Sequence, residues 1–143
     1  MSKRILKLIS VILVIVFLVG APVYALAAEA RASAWLSGYG ASVVASGNGK
    51  INVEFRVVGT GTMTMLGASI IYIYKSDGTF IKTISHTADG NEYMMGHNTA
   101  YHSGSVPYSG VAGQKYYAVV KFYAKNSSGS DSRTYTTSIT TAK

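Results

Sequence analysis

The chain has 143 residues, of which 48% are hydrophobic and 13% are charged, and its formal net charge is +7. This length allows one small domain. The apolar content is too high and the charge too low for a disordered chain, and 15 glycines without a three-residue period, with only 2 prolines, exclude a collagen-like one. Because cysteine is absent, a domain held together by disulfide bonds is also excluded.

The first 27 residues have the pattern of a helical secretory signal peptide, which we expect to lie outside the fold. Lys3, Arg4 and Lys7 form a basic start, and residues 8–19 are apolar except for one serine. This apolar run is shorter than the ~20 residues that a membrane-spanning helix needs. We predict cleavage after Ala27, with Ala25 as the alternative, and a secreted, extracellular product. An uncleaved segment that anchors the protein in a membrane is the competing interpretation.

The charge of the secreted part is modest. The whole chain has 13 Lys and Arg against 6 Asp and Glu, and the signal peptide contains 3 of the basic residues, which leaves +4 for residues 28–143. These cations are spread singly, whereas nucleic-acid binding proteins usually carry a clustered basic stripe. We therefore expect no nucleic-acid partner. We interpret the cations as solvated surface charge, which leaves a weak attraction to anionic wall polymers or lipid headgroups open.

Residues 28–143 predict β-strands from end to end. Residues 32–46 are a Gly- and Ala-rich first strand, and Gly47-Asn48-Gly49 predicts a tight turn, since Asn and Gly tolerate the positive φ that hairpin turns require. The clearest alternation of apolar and polar residues follows this turn and indicates a strand with one buried face. Its apolar positions are Ile51, Val53, Phe55 and Val57. The glycines of Gly59-Thr60-Gly61 then predict a break in the strand.

The middle of the chain predicts a hairpin followed by a loop. Residues 68–75 are dense in β-branched and aromatic side chains, which is typical of a central strand buried on both faces. A turn over residues 76–79 leads into a returning strand over residues 80–84. Residues 86–100 are polar and predict a loop, and residues 101–108 predict a short strand.

The last third predicts two more strands. Residues 114–125 alternate strongly, and residues 126–131 form a Ser/Gly turn. Residues 132–142 are a Thr- and Ser-rich closing strand, in which Tyr135 and Ile139 are the apolar positions.

About seven strands without a helix predict an all-β fold, a single antiparallel β-sandwich over residues 28–143. A domain of this size buries enough apolar surface to fold without disulfides. We expect its core at Ile51, Val53, Phe55, Val57, Ile71, Ile73, Ala118, Val120 and Phe122.

One segment resembles a known fold family. The alternating strand from Tyr116 ends in Ala124-x-Asn126, and a turn with Gly129 follows. This pattern resembles the penultimate strand of fibronectin type III and related immunoglobulin-like domains, which implies an immunoglobulin-like β-sandwich. The corner tyrosine of that family would fall at Ala118, and Tyr116 is the nearest tyrosine. The secreted part as a whole is similar to small exported proteins of unknown function from Gram-positive bacteria, a resemblance that implies no activity.

The sequence predicts no catalytic residues. Glu54 lies on the polar face of a strand, Asp77 and Asp131 lie in turns, and no two carboxylates are forced into the ~5–10 Å spacing of a glycosidase. A Gly-x-Ser-x-Gly motif is absent, and so is a cysteine nucleophile. We therefore predict that the protein is not an enzyme and uses no cofactor.

Five residues are weak candidates for a metal site. Imidazole and carboxylate groups are common zinc ligands. The candidates are His86, Asp89, Glu92, His97 and His102. Their spacing matches no ligand motif, so we predict no bound metal.

The tyrosines offer the main candidate for binding. The chain has 11 of them, and their spacing places Tyr72 with Tyr74, and Tyr117 with Tyr123, on one face of their strands. Exposed rings on a sheet can stack on the apolar face of a sugar or form a protein interface. Ordinary cross-strand packing is the simpler alternative.

The sequence therefore favours an exported, non-catalytic binding or adhesion module at the cell surface or in the medium, with cell-wall glycan or another surface protein as the partner. The alternative is a structural, self-associating matrix protein that pairs through its edge strands. Residues 132–142 contain no proline or lysine, and Arg133 is their one charged residue, so this strand has few of the usual edge defences.

Overall fold

The computed structural model describes residues 33–143, which form seven β-strands and one turn of 3₁₀-helix. All strand pairs are antiparallel, which confirms the predicted all-β class. The predicted signal peptide of residues 1–27 lies outside the described residues. Within residues 33–143, no helix is long and apolar enough to cross a membrane. The elements are β1 (Leu36–Gly47), β2 (Lys50–Lys75), β3 (Phe80–Ser85), the 3₁₀ turn (Glu92–Met94), β4 (Met95–Ser109), β5 (Lys115–Asn126), β6 (Gly129–Thr136) and β7 (Thr140–Thr141).

The long strand β2 organises the fold. Its first half lies between β1 and the second half of β4. Its second half lies between β5 on one side and β3 with the start of β4 on the other. Strand β5 then pairs with β6 and β7. The rings of Phe55, in the first half of β2, and Phe122, in β5, are 6.4 Å apart. The layer built on the first half of β2 and the layer built on its second half therefore pack face to face across one core, as the layers of a β-sandwich do.

The predicted strand break at Gly59-Thr60-Gly61 is wrong, because β2 continues through it as a bend. Pairing with β4 is interrupted between Val58 and Met63, and Asn98 of β4 has a φ of 50° at the same corner. The Thr60 N–H donates to the Trp35 carbonyl at 3.0 Å, and the Thr60 hydroxyl donates to the Ala34 carbonyl at 2.9 Å. The segment before β1 thus supplies hydrogen-bond acceptors to β2 at the point where β2 passes from one layer to the other and its pairing with β4 is interrupted.

The predicted hairpin between β1 and β2 is confirmed. Gly47, Asn48 and Gly49 have φ values of 88°, 54° and 75°. This left-handed backbone costs Gly and Asn little, so the residue types select the turn.

Three other sequence interpretations are corrected. The predicted loop over residues 86–100 is shorter, because β4 already begins at Met95, and Met94 and Met95 are buried. Residues 68–75 bury one face instead of two, since Tyr72 and Tyr74 stay partly exposed. The closing strand is interrupted after Thr136, and its predicted apolar positions, Tyr135 and Ile139, are 39% and 53% exposed.

In the closing segment the side chain of Thr137 is buried, and those of Tyr135 and Ile139 are not. Thr137 is 6% exposed, its N–H donates to the Ala118 carbonyl at 2.9 Å, and its hydroxyl accepts from the Ala118 N–H at 3.0 Å. The side chain therefore continues the pairing with β5 where the strand itself stops.

The predicted core is confirmed, because all nine of its residues are buried. The sequence interpretation missed a methionine-rich part of the core, although flexible thioether side chains are well suited to filling the irregular space near the corner. These residues are Met63, Leu66, Met94 and Met95.

Candidate binding face

The four predicted binding tyrosines lie on one side of the β3–β2–β5–β6 layer, here called the outer face. The alternate residues of β2 and β5, such as Ile71 and Val120, are buried, so their neighbours point away from the core. The outer face of these two strands comprises Ile70, Tyr72, Tyr74, Tyr117, Val119, Lys121 and Tyr123. Each of the four tyrosines is partly exposed.

Three rings form a row across three strands. Tyr74 lies opposite Tyr117 in the register, and their rings stack with centroids 5.1 Å apart and planes inclined by 9°. On the other side Tyr74 lies opposite Phe80, whose ring meets it edge to face at 5.7 Å. Phe80 is 54% exposed. The sequence interpretation missed Phe80 as a site residue, although the short turn after β2 places it directly across from Tyr74.

Tyr123 lies apart from this row, in a groove at the other end of the outer face. Its partner in β2 is Gly67, which contributes no side chain. The groove has a volume of about 450 Å³ and is lined by Met65, Ser69, Ile70, Ser85, His86, Thr87, Lys121, Tyr123 and Ser132. Tyr72 lies between the row and the groove, flanked by Thr83 and Val119. The four tyrosines thus share one face but not one cluster.

Hydrogen bonds order one wall of this groove. The Ser85 and Thr87 hydroxyls are 2.8 Å apart, and the Ser69 hydroxyl donates to the Lys121 carbonyl at 3.0 Å. The His86 N–H donates to the Ser69 carbonyl at 3.1 Å, and the His86 Nδ1 lies 3.1 Å from the same oxygen. The wall therefore presents fixed hydroxyl groups beside an apolar floor of Met65 and Ile70.

The outer face is basic. Lys121 and Lys125 point from β5, and His97 lies opposite Met65 on the same face. The side-chain carboxylates of the described residues lie elsewhere. They are those of Glu54 in the first half of β2, Asp77 in the turn after β2, Asp89 and Glu92 between β3 and β4, and Asp131 in β6. Within residues 33–143, Asp131 with Arg133 is the one ion pair, so neither lysine is neutralised there.

The weak metal candidates do not converge. His86 borders the groove, and the His102 Nε2 lies 2.8 Å from the Tyr93 carbonyl, with its ring 5.9 Å from Phe55. Asp89 is exposed in the loop and Glu92 starts the 3₁₀ turn. In the described part of the chain, no group of three His, Cys, Asp or Glu residues could hold a metal ion.

The edge strand β6 is more protected than its sequence suggested. The Asp131 carboxylate accepts hydrogen bonds from the Ser132 N–H at 2.8 Å and from the Arg133 guanidinium at 2.6 Å. Arg133 also donates to the Ser132 carbonyl at 2.9 Å. Side chains of β6 therefore occupy both backbone polar groups of Ser132, which hinders the addition of another strand at this point.

These contacts predict a pH-dependent contribution of Asp131 to stability. Burial raises the pKa of this carboxyl, but hydrogen bonds from Ser33 and Ser132 and the neighbouring guanidinium outweigh burial, so the pKa lies below its ordinary value of 3.8. A depressed pKa stabilises the fold above the unfolded-state value, and the contribution is lost as the pH falls through the folded-state value. We expect Asp131→Asn to lower the free energy of unfolding near pH 7, and the deficit to shrink between about pH 5 and pH 2. Urea unfolding at several pH values measures this, and a deficit of constant size would contradict it.

The outer face offers aromatic ring surfaces, hydroxyl groups and two ammonium groups. Such groups can stack on a ligand, form hydrogen bonds with it and attract negative charge. No protein-family profile matches the chain, and neither does any curated protein.

Proposed function

We propose that this protein is an exported, non-catalytic binding module that acts at the cell surface or in the extracellular medium and contacts its partner through the outer face. The observation that carries the proposal is the row of Phe80, Tyr74 and Tyr117. Its rings lie side by side across three strands on a partly exposed sheet. Stacking adds about 0.5–1.5 kcal/mol per aromatic pair and keeps the row rigid, so little side-chain entropy is lost on binding.

The proposal includes an immunoglobulin-like sandwich and export from a Gram-positive bacterium. We count β1 as strand A, the two halves of β2 as B and C, β4 as E, β5 as F and β6 as G. One layer then contains A, B and E and the other contains C, F and G, as in immunoglobulin-type sandwiches. Tyr116 supports this reading, because it is buried at the start of β5 and its hydroxyl accepts from the Val111 N–H at 2.9 Å. The tyrosine corner of immunoglobulin-like domains is a bond of this kind, between a tyrosine hydroxyl and the backbone a few residues upstream. In the proposed assignment Tyr116, and not residue 118, is the corner tyrosine.

Retention on isolated cell walls of the producing organism tests the function. We expect Tyr74→Ala and Phe80→Ala each to lower the affinity roughly tenfold, since truncating a ring at the centre of a binding surface typically costs more than 1 kcal/mol. Phe80→Ala is the safer variant, because this exposed ring contributes little to the core. Tyr101→Ala is the matched control, since Tyr101 is 55% exposed on β4, away from the outer face. Unchanged retention in both ring variants would contradict the proposal.

Treatment of the walls distinguishes the two kinds of partner. Walls digested with protease should still retain the protein if the ligand is a glycan, and should lose it if the ligand is a surface protein. Binding is expected to remain dependent on Tyr74 in whichever preparation retains the protein.

Self-association through edge strands is the second candidate function. The observation that favours it is the position of β6, which in the described part of the chain pairs with a strand on one side only and carries neither lysine nor proline. The hydrogen bonds of Asp131 and Arg133 on Ser132 weigh against it. Sedimentation over a concentration series separates the two candidates, because a strict monomer at high concentration excludes self-assembly.

A further inference from the structure

We propose that the groove beside Tyr123 is a subsite for a negatively charged sugar residue, one that carries a carboxylate or a phosphate. This inference rests on the proposed function and specifies the ligand class of the same face. The residues that line the groove are distinct from the aromatic row, so an experiment can contradict the anionic subsite without contradicting the proposed function, and the reverse.

The shape and lining of the groove suit a sugar ring. Its volume of about 450 Å³ falls within the range of about 300–1,000 Å³ that is usual for small-ligand sites. Met65, Ile70 and the Tyr123 ring supply apolar surface for the carbon–hydrogen face of a pyranose. Gly67, opposite Tyr123 in β2, is covered by the backbone of Met94 and Met95, so the ligand would contact the Tyr123 ring from the side of Ile70 and Lys121.

The rim of the groove matches the hydroxyl groups of a carbohydrate. Ser85 and Thr87 share one hydrogen bond between their two hydroxyls, which leaves one proton and free lone pairs for a ligand. Ser132 adds a third hydroxyl on the β6 side. Such groups can both donate and accept, as sugar hydroxyls require, whereas a purely apolar groove would exclude them.

The charge of the groove selects an anion. Lys121 lines it, and Lys125 lies four residues further along β5, two beyond Tyr123. Within the described residues neither lysine has an ion-pair partner, and no residue that lines the groove is acidic. An anion in the groove would therefore be attracted by Lys121, with no acidic lining residue to oppose it. Two scattered ammonium groups are too few to follow a nucleic-acid backbone, which needs a continuous basic groove.

The test uses the full secreted protein and defined probes, with binding followed by calorimetry. Tetragalacturonate supplies the carboxylate and glucose 6-phosphate supplies the phosphate. The methyl ester of tetragalacturonate and free glucose are their neutral counterparts. We expect at least one charged probe to bind more than fivefold tighter than its neutral counterpart, and the difference to diminish in 0.5 M salt, since salt screens exposed charges. The probe that binds identifies the source of the charge.

Variants assign the binding to the groove. Lys121→Gln is expected to lower the affinity for the charged probe about fivefold and to leave the affinity for its neutral counterpart unchanged. Tyr123→Ala should weaken binding about tenfold, whereas Tyr123→Phe, which keeps the ring, should stay within twofold of the parent. Lys50→Gln, an exposed lysine at the start of β2, is the matched control. Unfolding curves establish that each variant is folded at the assay temperature.

Several results would overturn the inference. These are equal binding of charged and neutral probes, no binding of either charged probe at millimolar concentration, an unchanged affinity in Lys121→Gln, or tighter binding of a single-stranded oligonucleotide. If cell walls still retain the protein in a Tyr74-dependent manner, such a result removes the anionic subsite and leaves the proposed function intact. If retention does not depend on Tyr74 or Phe80, the proposed function fails, whatever the groove binds.

Discussion

Replacement of Gly67 with alanine is expected to lower the free energy of unfolding by about 3 kcal/mol, the upper end of what one added methyl group usually costs. A Cβ at this position would collide with the Met94 carbonyl oxygen and would lie 2.8 Å from the Met95 Cα. Both obstacles are backbone atoms of buried residues, so no side-chain rotation can relieve the contact. Either the start of β4 must move away from β2, or the pairing of Gly67 with Met95 must open.

Gly61→Ala is the matched control, because it adds the same methyl group to the same strand. Nothing lies within 4 Å of a Cβ built at Gly61, and its backbone is outside the left-handed region. We expect a change within about 0.5 kcal/mol, as for most surface substitutions. Urea unfolding of both variants measures the difference. Equal stabilities would show that β4 does not approach β2 as closely as described.

Most of the strands could be predicted because they bury one face and expose the other. In such a strand the physical requirement appears directly as alternation, as in the run of Ile51, Val53 and Phe55 and in the run that ends at Phe122. The turn at Gly47-Asn48-Gly49 was predictable for a different reason, since its φ values restrict the residue types locally.

The corner of the fold could not be predicted from local pattern. Strand β2 passes through Gly59-Thr60-Gly61 because carbonyls of Ala34 and Trp35 accept hydrogen bonds there, and this partnership spans more than 20 residues of sequence. The first residues of β4, from Met95, look like loop because polar side chains such as His97 and Asn98 follow two buried methionines without alternation. Tertiary contacts decide both cases.

The candidate site shows the same division between local and tertiary information. Parity alone places Tyr72 with Tyr74, and Tyr117 with Tyr123, on one face of their strands, and the structure agrees. That Tyr74 and Tyr117 lie on the same side and stack, and that Phe80 joins them, depends on strand register. The separation of Tyr123 from the row follows from its position six residues after Tyr117 in β5, whereas its pairing with Gly67 depends on a register shift between Ala68 and Ile70 of β2.

The second large effect is expected at Asn126, the residue that ends β5. Its Oδ1 accepts hydrogen bonds from the Trp35 Nε1–H at 2.9 Å, from the Ser128 N–H at 2.8 Å and from the Gly129 N–H at 3.2 Å. Asn126→Ala leaves these donors without their acceptor. At about 1 kcal/mol for each lost bond, we expect the free energy of unfolding to fall by roughly 2–3 kcal/mol.

Two variants and one spectroscopic signal make this last prediction specific. Asn126→Asp keeps an acceptor oxygen and should recover most of the stability lost in Asn126→Ala, and Ser127→Ala should change stability by less than about 0.5 kcal/mol, because Ser127 is exposed in the same turn. Trp35 is the single tryptophan of the chain, so its fluorescence reports directly on the contact with Asn126. In Asn126→Ala we expect red-shifted emission from the folded protein, since the indole loses its partner and gains access to water. If the emission and the stability of Asn126→Ala match those of Ser127→Ala, Asn126 does not join the segment before β1 to the β5–β6 turn.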